Sequence, residues 1–299
     1  MQTEPKATDT ASEPRPYAIA ESVAPLVRRV LARNPSPYTY TGTQTYVVGE
    51  GREVAVIDPG PAEQEHLDAI VAAIGDARLI AICCTHTHRD HSPGAAPLKA
   101  RTGAPVIGCA PLTLTDTGPR ADASFDADYA PDRVLGDGEK LTGDGWTLTA
   151  IETPGHTSNH LCFALEETGA LFTGDHVMGW STSVVSPPDG DMTDYLRSLE
   201  LLYERKQDTI YLPAHGPLVD RPHRLVRGMI GHRRSREKQI QRQIEEGRTR
   251  IPDMVERMYK GLDERLFPAA QRSVLAHLID LERRALVERF GEDWHLREA

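Results

Sequence analysis

Residues 78–91 read RLIAICCTHTHRDH, an apolar run that breaks into a burst of metal-ligand side chains. The run 78–84 has the composition of a buried strand, and His86, His88, Asp90 and His91 follow it in the pattern HxHxDH. Imidazole nitrogens and carboxylate oxygens are the ligands that hold zinc and similar borderline ions. Alternate histidines leaving a strand can project to one side, and the next turn supplies a second, adjacent pair. Ser92 and Pro93 come next as an expected N-cap and first helical residue, which would place a helix N-terminus beside the site.

Three later fragments repeat this local logic: a strand ends and a ligand type appears. WTLTAIE (146–152) is followed by TPGHTSNH with His156 and His160, ALFTG (170–174) by Asp175 and His176, and TIYLP (209–213) by His215. Strand ends on one edge of a sheet converge, which is how loops build sites on a rigid scaffold. Gly155, Gly174 and Gly216 flank these candidates and permit tight turns. REVAVID (52–58), APVIG (104–108) and HLCFAL (160–165) read as further strands. EQEHLDAIVAAIG (63–75) and MTDYLRSLELLYERK (192–206) space their apolar residues for helices. The alternation predicts an α/β sandwich over residues 20–219, with helices covering a core of strands.

Beyond residue 220 the strands nearly vanish. Residues 224–246, 252–259 and 268–284 read as helices and 285–298 as a hairpin turning at Gly291–Glu292, so residues 220–299 are expected to form a small, helical, winged-helix-like module. Charge changes sign at the same place. Residues 220–299 hold 18 Lys and Arg against 14 Asp and Glu, so in a chain of net charge −10 residues 1–219 carry −14. Segment 221–242 alone sets eight Arg and Lys against a single Glu. A length of 299 residues predicts about two domains. At 39% hydrophobic and 26% charged residues the chain is not a disordered one. No run approaches the roughly 18 apolar residues of a membrane helix. Residues 1–19 read as a polar tail without an apolar signal core, and Cys83, Cys84, Cys109 and Cys162 contain no CxxC pair. Together these features predict a cytoplasmic protein with buried free thiols.

HxHxDH, then GH, then GD, then a strand-end His resembles the ligand set of the metallo-β-lactamase superfamily of hydrolases. The resemblance covers residues 38–220 and implies an αββα sandwich. It implies that His86, His88 and His156 hold one metal ion, that Asp90, His91 and His215 hold a second, and that Asp175 bridges the two. VIDPG (56–60) is similar to the family's strand ending in an Asp-x-Gly turn, with Asp58 either structural or supporting a ligand. NPSPYTYTGTQTYVVG (34–49), THTHRDHSPG, TPGHTSNH and the helical-then-hairpin tail are more narrowly similar to the β-lactamase-like protein 2 subfamily, whose members carry a winged-helix-like C-terminal domain. Two divalent ions are implied as cofactors: zinc, with iron or manganese as alternatives.

Paired cations at the typical spacing of about 3.5–4 Å share a water and lower its pKa toward about 7, and the resulting hydroxide attacks an ester or thioester carbonyl. Asp90, beside that water, is the expected proton acceptor and catalytic residue. His160 and His176 are expected either to support the ligands from behind or to contact substrate, and Met178, Trp180 and Ser181 are candidate substrate contacts because residues 176–191 form a long connection after Asp175. The commonest zinc β-lactamases carry a Cys at the second metal where this chain offers Asp175, so the resemblance disfavours a lactam substrate despite the family name. A small-molecule ester or thioester is therefore the expected substrate. Single-stranded RNA, cut by an endoribonuclease, is the alternative implied by the subfamily. Segment 221–242 would attract a polyanion, whereas the −14 balance of residues 1–219 opposes one. A winged-helix nucleic-acid-binding protein with an inactive hydrolase domain is the remaining reading. It would require a lost ligand, and none is lost.

Overall fold

The computed structural model describes residues 16–112 and 125–297, so the polar tail expected over residues 1–19 lies almost wholly outside the described residues. Strands β1 (Ala20–Ala24), β2 (Val27–Leu31), β3 (Gln44–Val48) and β4 (Glu53–Ile57) form an antiparallel meander. Helix α1 (Gln64–Ile74) crosses over to β5 (Arg78–Cys84), and α2 (Ala95–Thr102) leads to β6 (Val106–Gly108); β7 (Arg133–Val134) closes the edge. From β4 to β7 the pairing is parallel, giving a seven-stranded mixed sheet in chain order. A second, five-stranded sheet has the order β12-β11-β10-β9-β8. It comprises β8 (Lys140–Gly143), β9 (Trp146–Glu152), β10 (Leu161–Leu165), β11 (Ala170–Gly174) and β12 (Ile210–Pro213), with α3 (Met192–Glu204) as the crossover between its one parallel pair, β11 and β12.

Packing follows from patterning. β3 and β10 read QTYVV and LCFAL and are buried throughout, because each is covered on both faces. The inner faces of the two sheets share one core that includes Val47, Val56 and Ile82 with Leu148, Phe163 and Phe172. Tyr46 Oη donates to the Pro213 carbonyl at 2.7 Å, and Gln44 Nε2 to Pro213 and Gly216 carbonyls at 2.9 and 2.7 Å, tying the sheets together at the end where the ligand-bearing loops emerge. α1 covers the first sheet through Leu67 and Ile70, and α3 covers the second through Tyr195, Leu199 and Leu202. The order of layers is helix, sheet, sheet, helix, as the family resemblance implies. β1 to β3 and the short β7 and β8 have no counterpart among the strands expected from sequence.

The N-cap expectation at Ser92 and Pro93 fails. α2 begins at Ala95 behind Gly94, and no side chain caps it. Backbone bonds from Gly60 N–H to the His91 carbonyl and from Gly94 N–H to the Gly60 carbonyl, both 2.9 Å, pin residues 91–94 against the turn after β4, so the helix starts only after them. Ser92 Oγ donates instead to Asp126 at 2.9 Å.

The C-terminal part consists of α4 (Pro222–Glu245), α5 (Ile251–Met258), α6 (Phe267–Arg283) and the antiparallel hairpin β13 (Val287–Phe290) with β14 (Asp293–Leu296). Its core joins Ile240, Met254, Val274, Leu281 and Trp294. The line drawn at residue 220 from charge does not separate the cores. Val226 and Met229, in the first half of α4, pack with Tyr195 and Leu199 of α3, whereas Ile240 and Ile244, in the second half, belong to the C-terminal core. α6 also docks on α3, through Ala276, a 2.6 Å hydrogen bond from Thr193 to Asp280, and the Arg283–Asp191 pair. Net charge reports surface, and a helix shared by two cores leaves no mark in it. Cys83, Cys84, Cys109 and Cys162 are free and buried, as read from the sequence. No helix among the described residues is long and apolar enough to cross a membrane.

Candidate metal centre

The candidate ligands come together, but at the ends of two facing sheets rather than along one edge. β5 delivers His86, His88, Asp90 and His91, while β9, β11 and β12 of the second sheet deliver His156, Asp175 and His215. Two turns explain the local sequence. At Gly155 (φ 136°) an added Cβ would stand 2.3 Å from the Tyr195 Cα, and at Gly174 (φ 48°) 2.6 Å from His160 Nε2.

Two clusters result. In one, His88 Nδ1 lies 3.0 Å from His86 Nε2 and 3.1 Å from His156 Nε2. In the other, His215 Nε2 lies 3.1 Å from Asp90 Oδ2, and His91 Nε2 lies 3.3 Å from the same oxygen. Asp175 faces both. Its Oδ2 is 3.6 Å from His156 Nε2, and its Oδ1 is 3.2 Å from His215 Nε2 and 3.5 Å from His91 Nε2. Ligand nitrogens about 2.0–2.1 Å from a tetrahedral ion stand about 3.3 Å apart, so these spacings suit a shared cation. His91 Nε2 and Asp175 Oδ1 are buried with no hydrogen-bond partner, which a cation between them would satisfy. The donor set therefore fits a dinuclear site.

The outer ring atoms fix the orientation of the inner ones. His156 Nδ1 donates to the Val184 carbonyl at 2.6 Å, His215 Nδ1 to the Gly42 carbonyl at 3.2 Å, and His91 Nδ1 to Asp58 Oδ2 at 3.0 Å. His86 Nδ1 lies 3.0 Å from Thr85 Oγ1, which itself donates to Asp58 at 2.8 Å. A proton on each Nδ1 leaves Nε2 free as the donor atom toward an ion. His88 differs, since it turns Nδ1 inward.

Charge follows burial and neighbours. Burial, reinforced by adjacent rings, pushes His86 well below the ordinary imidazole range and His88 down to about 3. Burial pulls on His91 and His215 in the same direction, but Asp90 and Asp175 outweigh it; His91 is held well above its ordinary value and His215 up to about 10. Burial would likewise raise Asp90 and Asp175, yet the facing His91 and His215 keep both well below the usual carboxylate range. The protein alone thus holds protons on His91 and His215, between the carboxylates of Asp90 and Asp175.

The sequence profile of the metallo-β-lactamase superfamily matches residues 38–215, and that of the β-lactamase-associated winged helix domain matches residues 251–294. The chain belongs to the metallo-β-lactamase superfamily. It is 32% identical to a "Beta-lactamase-like protein 2 homolog" of Drosophila melanogaster over 86% of this chain and 88% of that one. It is 31% identical to an "Atrochrysone carboxyl ACP thioesterase" of Claviceps purpurea, over 82% of this chain and 76% of that one. A metallo-β-lactamase family protein from Thermus thermophilus shares the fold at a TM-score of 0.73 and 20% identity, covering 92% of this chain and 100% of that one. The chain is a metal-dependent hydrolase of this superfamily with a C-terminal winged helix.

The two candidate clusters open into a cleft of about 580 Å³. His88, Asp90, His156, Asp175 and His215 form its floor. Met178, Trp180 and Ser181, expected at the substrate, line it, and Trp180 stacks on Tyr40 at 5.0 Å. His160 and His176, for which the sequence leaves substrate contact and support behind the ligands both open, do not line it. His160 is buried behind the ligands, with Nδ1 2.9 Å from Thr153 Oγ1 and Nε2 accepting the Asp175 N–H at 3.3 Å, so it holds the Asp175 backbone. His176 is fully buried against Tyr195, with ring centroids 4.7 Å apart, and burial pushes it down to about 3. Alternation along a loop gave no way to tell an inward ring from an outward one. Sequence reasoning also missed Thr43, whose hydroxyl donates to Asp90 at 3.3 Å, and the Gly42 and Val184 carbonyls, which as backbone groups carry no sequence signal. The opposite wall of the cleft comes from the C-terminal part, with Arg233 and Arg236 of α4, Tyr259, Leu262 and Ala270.

Proposed function

We propose that the chain is a dinuclear metal-dependent thioester hydrolase that acts on a small acyl substrate, with zinc as the metal. The observation that carries this reading is Asp175, which turns one carboxylate oxygen to each histidine cluster at the floor of a largely apolar cleft. His86, His88 and His156 would hold one ion, and Asp90, His91 and His215 the other. When bound, the two ions supply an activated water and Lewis acidity at the substrate carbonyl. Asp90 opens onto the cleft and is placed to take the proton of the attacking water and return it to the leaving thiolate. Met178, Trp180 and Leu262 line the cleft and would receive the acyl chain. The thioesterase among the relatives supports this substrate class. Buried free cysteines support a reducing, cytoplasmic setting.

Single-stranded RNA is the competing substrate, for which α4 offers exposed basic side chains. On α4, Arg224, Arg227, Arg234, Lys238 and Arg242 are exposed, Arg234 pairing with Glu200 at 2.9 Å and Arg242 with Glu246 at 2.9 Å, while Arg233 is buried. The deciding experiment supplies zinc-loaded protein with acyl thioesters of coenzyme A and of N-acetylcysteamine, and with single-stranded RNA. Thioester turnover that is lost in Asp175→Asn is the expected result. RNA cleavage with every thioester left intact would replace this reading by the nuclease one.

A further inference from the structure

We infer that Arg233, assisted by Arg236, forms an anion-binding subsite in the metal cleft, and that the substrate carries an anionic group, a carboxylate on its acyl portion or a phosphate on its carrier. The inference rests on the thioesterase reading for its substrate but on independent observations for its chemistry.

Arg233 is only 3% exposed, and among the described residues no carboxylate pairs with it. Its guanidinium donates to the Ser183 carbonyl and, at 3.4 Å, to Ser273 Oγ; its Nε is buried with no acceptor. The Tyr195 ring lies 5.1 Å from its Cζ. A guanidinium has five donors in a planar fork that matches a carboxylate or phosphate edge. Burying one without a counter-charge is strongly unfavourable, which makes an unpaired buried arginine on a ligand cleft a group built for an anion. Arg236 extends the same wall. Its Cζ lies 4.3 Å from the Tyr259 ring, and it donates at 2.7 Å to Gln239, a neutral partner.

The charge of the cleft agrees. Among the described residues its lining includes Arg89, Arg233 and Arg236, while its carboxylates are Asp90 and Asp175, both in the ligand clusters. Two divalent cations would more than neutralise those two carboxylates, so the arginine wall adds to a surplus of positive charge. Apolar walls strengthen such a field. A neutral acyl chain gains nothing from it. A chain ending in an anion gains a charge-assisted, bidentate contact.

The test compares matched substrates on the zinc-loaded protein: the glutaryl and the isosteric glutaramyl thioester, each on N-acetylcysteamine and on coenzyme A. If the anion is the acyl carboxylate, glutaryl exceeds glutaramyl in kcat/KM by about 10- to 100-fold on either carrier, the scale of a hydrogen bond to a charged group. Arg233→Met and Arg236→Met then erase the preference while the glutaramyl rate changes less than about threefold. If the anion is the carrier's phosphate, the preference follows coenzyme A over N-acetylcysteamine and the same variants erase it. Arg233→Lys, which keeps the charge, and Arg236→Met carry the test if Arg233→Met does not fold. Should no thioester be hydrolysed at all, calorimetric binding of glutarate against glutaramate still decides, because both probes carry one carboxylate for the ions and differ only at the other end. Tighter glutarate binding that is lost in Arg236→Met upholds the subsite and sinks only the thioesterase reading. Equal handling of the charged and neutral partners by wild type, or variants that slow every substrate alike, would overturn the subsite and leave Arg233 a purely structural clamp.

Discussion

Asp58 touches no candidate ion, yet Asp58→Asn should cost the second metal site most of its affinity. Asp58 has a left-handed backbone (φ 49°) that asparagine adopts readily, so the substitution changes charge without straining the turn. Its two oxygens accept from Thr85 N–H at 2.8 Å, Thr85 Oγ1 at 2.8 Å and His91 Nδ1 at 3.0 Å. An amide has one acceptor oxygen. If that oxygen stays on the Thr85 backbone, the NH2 group faces His91. The imidazole then has to present a lone pair at Nδ1, which moves its proton to Nε2, the atom aimed at the ion. Losing one charge-assisted hydrogen bond costs about 1.5–3 kcal/mol, or about 10- to 150-fold in affinity, in the range expected when a group supporting a metal ligand is removed. Competitive chelator titration of both ions is the assay. The ion held by Asp90, His91 and His215 should weaken by about 10- to 100-fold, and the ion held by the three other histidines by less, because Asp58 reaches His86 only through Thr85 Oγ1. Unchanged binding of the second ion would refute the argument, and so would equal loss at both sites.

Asp175→Asn should lower activity at least about a hundredfold and selectively empty the second site, whereas Asp194→Asn, which loses only an exposed pair with Arg197, should be nearly neutral in the same metal analysis and turnover assay. Filling the second cluster at pH 7 must expel the protons that Asp90 and Asp175 keep on His91 and His215. Calorimetry in buffers of different ionisation enthalpy should therefore register proton release, and the affinity of this ion should fall as pH is lowered; pH-independent uptake would contradict the charge assignment. A chain ending at residue 219 should be insoluble, because it strips Val226, Met229 and Ala276 from the core around α3; at about 2–5 kcal/mol for each large buried side chain this approaches the whole stability of a domain. A soluble, metal-binding product would show the catalytic layers to be self-sufficient.

The histidine and aspartate pattern was legible because each ligand stands directly after a β-branched run, and the ends of such runs are fixed by the sheet. His86, His88, His156, Asp175 and His215 all meet at strand ends for that reason. What could not be read were the parts set by packing between distant segments. His160 and His176 sit in the same kind of sequence as the ligands, and only the packing of distant segments decides that His160 supports the Asp175 backbone while His176 packs on Tyr195 of α3. The late start of α2 depends on backbone bonds to Gly60, which no residue type announces. α4 reads as one basic helix; that its two halves serve different cores is visible only from what Val226 and Ile240 touch.

The two walls of the cleft have separate origins in the chain, and that division bears on how such a protein can change. Every candidate ligand lies between His86 and His215, on loops anchored by the sheets, whereas the wall facing them comes from α4 and the residues after it. Substitutions at Arg236, Tyr259, Leu262 or Ala270 reshape what can enter without moving an atom that faces an ion. Selection can therefore trade one substrate for another through the C-terminal helices while the reaction itself is inherited intact. Relatives with equal metal loops and divergent helices after residue 230 would then be the places to look for new specificities.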